Sequence, residues 1–262
     1  MATVHDGFVR LVDSMPHSDL DAAIVQAARV SYADGTKTSR SDKGLIRYLM
    51  RHWHNTPFEM VEFKFHIKMP IFVARQHLRH RMASVNEMSA RYSVIPDEFF
   101  VPETYRNQSK TNKQGSDGIA DIDTDPSKQS CEKAFEVYND LLEKGCCREL
   151  ARCHLPQSTY TEFYWKINLH NLMHYLQLRM EPGAQKEIRE YADAIFNTVK
   201  DLCPITMEAF EDFRLNNIQL SGTDIDCIRN VVLPDSIGER REFVAKLDRL
   251  GLATKLFPNG IA

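Results

Sequence analysis

The stretch RQHLRHRMASVNEMSARY, residues 75–92, sets Arg75, Arg79, Arg81 and Arg91 around a serine-rich centre that holds one acid, Glu87. Four arginines against one glutamate leave a local charge of +3, whereas the whole chain carries −3. Arginine forks meet phosphate oxygens two bonds at a time, so this spacing suits a phosphorylated ligand. Ser84, Asn86 and Ser89 add short polar groups, and Glu87 can accept from a sugar hydroxyl or a base edge. Composition alone leaves a second reading open, a solvated basic face with Glu87 as its salt-bridge partner.

Three further clusters carry chemistry-bearing types. Arg179 closes a helical pattern that begins at Asn168 and in which His170, Asn171 and His174 fall on about one side. Arg152 follows Glu149 on another predicted helix, and His52 and His54 flank Trp53 just ahead of Thr56. His170 and His174 have the i, i+4 spacing of metal ligands, but HNLMH lacks the glutamate that follows the first histidine in a zinc protease helix, and no metal is expected. There is no G-x-G-x-x-G after a strand, no G-x-x-x-x-G-K-[ST] and no G-x-S-x-G. The glycine-rich phosphate loops and the commonest serine hydrolase are thereby excluded.

The elements that must position these groups follow from periodicity. KGLIRYLMRHWH (43–54) has one apolar helical face, with its end expected near His54, and TPFE (56–59) resembles a capping box that is either one turn long or false. Val61, Phe63, Phe65, Ile67 and Met69 alternate, which predicts a strand with one buried face. Residues 70–81 read as a helix whose last turn carries Arg79 and Arg81, ASVNEMS as a loop, and ARYSVI as a strand. Residues 106–130 have the composition of a mobile polar insertion. A helix follows to Gly145, then a strand over 158–167, a helix capped by Asn168, a long amphipathic helix to Cys203, a shorter one over 205–213, and a tail from about 219 with one helical pattern.

With 43% apolar and 26% charged residues the chain is ordinary globular material, and its near-neutral balance argues against gripping a nucleic-acid polymer. The absence of a leader pattern or of an apolar run of about 18 residues predicts a cytoplasmic protein with no membrane partner. Cys131, Cys146, Cys147, Cys153, Cys203 and Cys227 show no C-x-x-C spacing and read as reduced thiols.

Arg79 to Arg91, RHRMASVNEMSAR, follows the pattern R-H-R-x-x-S-x-N-x-x-S-x-R and resembles the signature of the flavin-dependent thymidylate synthases. ARVSY (28–32), HWHNTPFE (52–59), ELARCHLP (149–156), NLHNLMHYLQLR (168–179) and AQKEIREYA (184–192) resemble segments of the same family. The resemblance implies synthesis of dTMP from dUMP, with 5,10-methylenetetrahydrofolate as one-carbon donor and NADPH as reductant through a tightly bound FAD. It implies a homotetramer with active sites shared between subunits. The expected architecture is a single α+β domain over 1–218, with a mostly antiparallel sheet flanked by helices and no Rossmann fold, and an extension over 219–262 whose role is open.

Position by position, the resemblance assigns Gln76, Arg79, Glu87, Ser89, Arg91, Arg152 and Arg179 to dUMP. It assigns Thr56, Arg79, His80, Arg81, Asn86, Glu87, Asn168, His170 and His174 to FAD. Arg179 would favour the N3-deprotonated uracil, His54 would assist the folate or proton steps, and Ser89, although a hydroxyl nucleophile by type, is expected to bind. Ala90 stands where many members have glycine, and His170 where some have arginine. The rivals are a single-strand RNA-binding module and a methyltransferase acting on uracil within RNA. Neither uses Arg152, Arg179 and NTPFE together.

Overall fold

The computed structural model describes residues 1–31, 41–110 and 112–258. Tyr32, the last residue of ARVSY, and Thr111 of the insertion lie outside them. The chain opens with strands β1 (Ala2–Val4) and β2 (Gly7–Met15), then helices α1 (Leu20–Arg29), α2 (Asp42–Arg51) and α3 (Thr56–Glu59). Strand β3 (Glu62–Pro70) leads through α4 (Ile71–His77) to β4 (Ser84–Glu87), and a small ribbon follows from β5 (Asn107–Gln108) and β6 (Ser116–Asp117). Helices α5 (Asp125–Glu143) and α6 (Arg148–Ala151) precede β7 (Tyr160–Asn168), which runs straight into α7 (Leu169–Arg179). Helices α8 (Lys186–Lys200) and α9 (Pro204–Phe210) complete the first of two compact units, Met1–Arg214. The second, from Leu215 on, holds α10 (Gly222–Asn230), α11 (Ile237–Leu250) and α12 (Ala253–Leu256) around Cys227, Phe243 and Leu247.

The main sheet has the order β1-β2-β3-β7-β4 and every pairing is antiparallel, in keeping with the expected α+β fold. β3 and β7 form its centre, paired from Glu62 with Asn168 to Pro70 with Tyr160. Val61, Phe63, Phe65, Ile67 and Met69 are all fully buried, so the period-two reading of this segment holds. Across the register, Phe65 faces Trp165, and Trp165 packs edge-on against His77 of α4 and Tyr175 of α7. Such aromatic pairs contribute about 0.5–1.5 kcal/mol beyond the burial of their area, and these fix α4 and α7 on the apolar face. At the far end of β3, Gly7 lets two strands and α8 meet: a Cβ there would lie 2.3 Å from the Lys68 carbonyl oxygen and 2.3 Å from the Tyr191 hydroxyl.

Several local expectations are corrected. Helix α2 ends at Arg51, not near His54, and closes with a bond from the His54 N–H to the Leu49 carbonyl while Trp53 takes the left-handed conformation at φ 61°. Glycine usually fills that position, because a Cβ there is strained. α3 is a real single turn, but Asn55 rather than Thr56 sits at its cap and makes no side-chain capping bond. α4 stops at His77, which leaves Arg79 in the turn that follows the helix and Arg81 in the irregular segment before β4.

The loop and strand readings around the arginine motif are interchanged in the structure. Ser84–Glu87 is the strand, paired with β7, whereas ARYSVI is irregular. β4 is an edge strand with all four residues exposed, so no burial alternation marks it. The 106–130 segment contains the β5–β6 ribbon, and its final residues already belong to α5, which begins at Asp125. Among the described residues, no helix is long and apolar enough to cross a membrane.

Candidate functional site

β7 and α7 carry Asn168, His170, His174 and Arg179 of the candidate site. Asn168 ends the strand and caps the helix, its Oδ1 accepting from the Asn171 N–H at 2.9 Å, so the direction of α7 is set by a residue in the predicted cofactor set. Further along the helix, His174 and Arg179 border a cleft of about 500 Å³ together with Arg79, His80, Arg81, Met82, Ile167, Asn171 and Leu178. Arg79 and Arg81 reach it because α4 ends early and the chain turns sharply at His80.

Arg179 is held on two sides. Its Nε donates to His80 Nε2 at 3.0 Å, and a terminal nitrogen donates to the Gln76 backbone carbonyl at 3.2 Å. Burial, then the Arg179 and His174 charges, push the His80 imidazole down to about 4, so the ring is neutral and accepts. Beneath it, His77 is fully buried, hydrogen-bonded through Nδ1 to the Tyr175 hydroxyl at 3.0 Å, with Nε2 unpartnered. Burial, then the His80 and Arg179 charges, lower His77 to about 3. Among the described residues no carboxylate pairs with Arg79, Arg81 or Arg179, and the cleft therefore keeps its full positive charge for an anionic ligand.

The remaining predicted residues divide over other surfaces. Glu87 on β4 accepts from the Thr161 hydroxyl at 2.7 Å; it has no arginine partner among the described residues, which removes the salt-bridge reading of this acid. Asn86 lies beside it on the same exposed strand. Ser89 accepts from the Arg91 N–H at 3.3 Å, and the Arg91 guanidinium meets Glu149 at 3.1 Å in a second cleft of about 510 Å³. Arg152 begins a short 3-10 turn after α6, its Nε 3.4 Å from the Glu149 carbonyl. His54 and Thr56 line a third, larger groove of about 1220 Å³ with His52, Trp53 and Tyr48. The Arg214 guanidinium, buried on the π-helical turn Glu211–Leu215, lies over the Trp53 ring and donates to the Met50 carbonyl at 3.1 Å. His170 is lowered by burial, with Glu59 opposing and the His174 and Arg214 charges reinforcing that shift. Arg75, which opened the sequence motif, is exposed on α4 and lines none of these clefts.

Sequence reasoning missed His77 and the polar pair Gln185 and Glu187, and it named Glu149 as the neighbour of Arg152 but not as the partner of Arg91. His77 sits on the apolar side of a helix pattern and nothing in its spacing marks it. Gln185 and Glu187 lie in AQKEIREYA, where the family resemblance covers the segment as a whole but singles out neither residue.

Residues 10–205 match the family model described as thymidylate synthase complementing protein, Thy1. A flavin-dependent thymidylate synthase of Thermus thermophilus is 54% identical over 232 residues, covering 87% of this chain and 84% of the relative. One from Dictyostelium discoideum is 52% identical, covering 86% of this chain and 78% of the relative. Among solved structures, a UMP/dUMP methylase, PolB from Streptomyces cacaoi bound with 5-Br dUMP, superposes with a TM-score of 0.73 at 38% identity, over 82% of this chain and 99% of that one. With the match running through the strands and helices that carry the cleft, and with relatives this similar over most of its length, this chain belongs to the thymidylate synthase complementing protein (Thy1) family.

Proposed function

We propose that the chain is a flavin-dependent thymidylate synthase, converting dUMP to dTMP with the one-carbon unit of 5,10-methylenetetrahydrofolate and electrons from NADPH delivered through FAD. The observation that carries this reading is Arg179, a cation with no carboxylate partner among the described residues, aimed by His80 and the Gln76 carbonyl into a cleft shared with Arg79 and Arg81. The donor set fits the proposed ligands: three guanidinium forks match the phosphates of a nucleotide and of a flavin dinucleotide.

In this reading Gln76, Arg79, Glu87, Ser89, Arg91, Arg152 and Arg179 hold dUMP. Arg179 favours the deprotonated N3 of the uracil and so polarises the ring towards attack from C5. Neutral His80 keeps Arg179 in place without drawing off its charge. Thr56, Arg79, His80, Arg81, Asn86, Glu87, Asn168, His170 and His174 hold FAD, which when bound supplies the hydride. Ser89 binds rather than attacks, since its hydroxyl meets the Arg91 N–H, a donor, and no base stands beside it among the described residues to take its proton. His54, exposed at the rim of the large groove, assists the folate or proton steps.

Of these residues, Arg79, His80, Arg81, His174 and Arg179 line one cleft, Arg91 a second, and His54 and Thr56 a third, and Met82 and Tyr92 beside the arginines are 73% and 80% exposed. Both facts support a homotetramer in which neighbouring subunits complete each site.

The test is the visible spectrum of the purified protein, followed by anaerobic addition of dUMP and methylenetetrahydrofolate to the NADPH-reduced sample, with UMP in a parallel reaction. A yellow protein that reoxidises as dTMP appears is expected. A protein that stays colourless with FAD, or one that methylates UMP alone, would overturn the proposal.

A further inference from the structure

Gln76 is held from behind by a chain of hydrogen bonds that starts in the insertion. Its Nε2 donates to Gln185 Oε1, and Gln185 Nε2 donates to Glu187 Oε2 at 2.8 Å. The two Glu187 oxygens receive the Arg106 guanidinium at 2.8 and 3.1 Å. Arg106 in turn is tied to the β5–β6 ribbon, its Nε donating to Ser116 Oγ at 2.9 Å. At the other end, the Gln76 backbone carbonyl accepts from Arg179.

The order of donors in this chain is forced. Glu187 has only 6% of its side chain exposed. Burial works to raise its carboxyl, but hydrogen bonds from its own N–H, Gln185 and Arg106 outweigh that and hold it below the usual carboxylate range. An ionised carboxylate can only accept, so Gln185 must turn its amide nitrogen towards Glu187 and its oxygen towards Gln76. Gln76 must answer with its nitrogen. Its Oε1 then remains as an acceptor, matched to a hydroxyl or N–H donor of a ligand.

We propose that Arg106, Glu187 and Gln185 are positioning residues for the nucleotide, setting the amide orientation of Gln76 and steadying the carbonyl that aims Arg179. The polar insertion thereby acquires a role, since it carries the arginine at which the relay begins. The inference rests on the reading of Gln76 and Arg179 as dUMP ligands. It goes beyond that reading because none of the three positioning residues touches the Arg179 cleft.

The test is a double-mutant cycle on the FAD-loaded protein, with the Kd for dUMP read by calorimetry and flavin content and Tm measured alongside. Gln185→Leu interrupts the relay but leaves the Arg106–Glu187 pair intact, and is expected to weaken dUMP binding about tenfold with flavin content unchanged. Arg106→Ala should do the same, and Arg106→Lys, which keeps the charge, should restore part of the loss. In a Gln76→Ala background, Gln185→Leu should add less than about twofold, since the partner it acts through is gone. Wild-type affinity in Gln185→Leu, or losses that multiply independently in the double variant, would overturn the relay alone. Wild-type affinity in Gln76→Ala would overturn it together with the assignment of Gln76 to dUMP.

Discussion

Arg179 donates through Nε to Nε2 of His80 at 3.0 Å, so a cation is oriented by a neutral ring rather than by a carboxylate. A carboxylate would aim the guanidinium equally well but would also neutralise it. The remaining donors of Arg179, apart from the one spent on the Gln76 carbonyl, stay available to a ligand with the full charge behind them.

Arg179→Ala is therefore expected to lower dTMP formation by about 10²–10³-fold or more, the usual effect of removing a donor aimed at developing negative charge. The flavin should remain bound, since Arg79, Arg81 and Asn168 are untouched. Single-turnover formation of dTMP and the visible spectrum check this; a fully active variant would remove Arg179 from the mechanism.

Acid should destabilise the chain in a defined window. His77 and His80 titrate at about 3 and about 4 in the folded chain, against an ordinary value of 6.5. Between those limits the unfolded chain takes up protons that the folded chain refuses, so stability rises with pH up to about 6.5 and these groups contribute no further slope above it. The Tm should fall as pH drops from 6.5 towards about 4.5, and His77→Phe, which suits the aromatic packing around Trp165, should make that slope shallower. An unchanged slope would assign acid sensitivity to other groups.

Unpaired cations respond to salt. With no carboxylate on Arg79, Arg81 or Arg179 among the described residues, raising ionic strength tenfold from about 0.05 M should raise KM for dUMP several-fold while kcat changes little. Inorganic phosphate should compete more strongly than chloride at equal ionic strength. A KM indifferent to both would show that the arginines do not meet the phosphate.

Gly7→Ala tests the junction that sets the sheet against α8. The added methyl would meet the Lys68 carbonyl and the Tyr191 hydroxyl, and overpacking against backbone of this kind costs about 2 kcal/mol, or roughly 4–8 °C in Tm for a chain of this size. A Tm within about 1 °C of the parent would show that the strands yield freely there.

The sheet's centre and the cap of α7 are readable because burial writes a period into the sequence. β3 alternates strictly, and Asn168 sits where a polar residue must cap α7. β4 reads as loop because an exposed edge strand has no buried face to alternate against. The apolar pattern of α4 runs on to Leu78, and only tertiary contacts decide that the next residues turn away. At the site, the arginines are legible by type and spacing. The relay through Gln185 and Glu187 is not, since the bond between Gln76 and Gln185 spans 109 positions and no local pattern encodes so distant a pairing.

The exposed edge strand has a consequence for how the chain tolerates change. β3 is constrained by packing: its inward positions should accept exchanges among large apolar residues and reject polar ones. β4 owes little to packing, since Ser84, Val85, Asn86 and Glu87 are all exposed and, apart from the bond from the Thr161 hydroxyl to Glu87, their pairing with β7 is that of a backbone ladder. In a saturation library selected for growth that depends on the enzyme making its product, with none supplied, the two strands should give opposite profiles. β3 would be permissive to shape and strict in polarity, and at Asn86 and Glu87 even near-isosteric replacements would be lost while the protein still accumulates to its normal level.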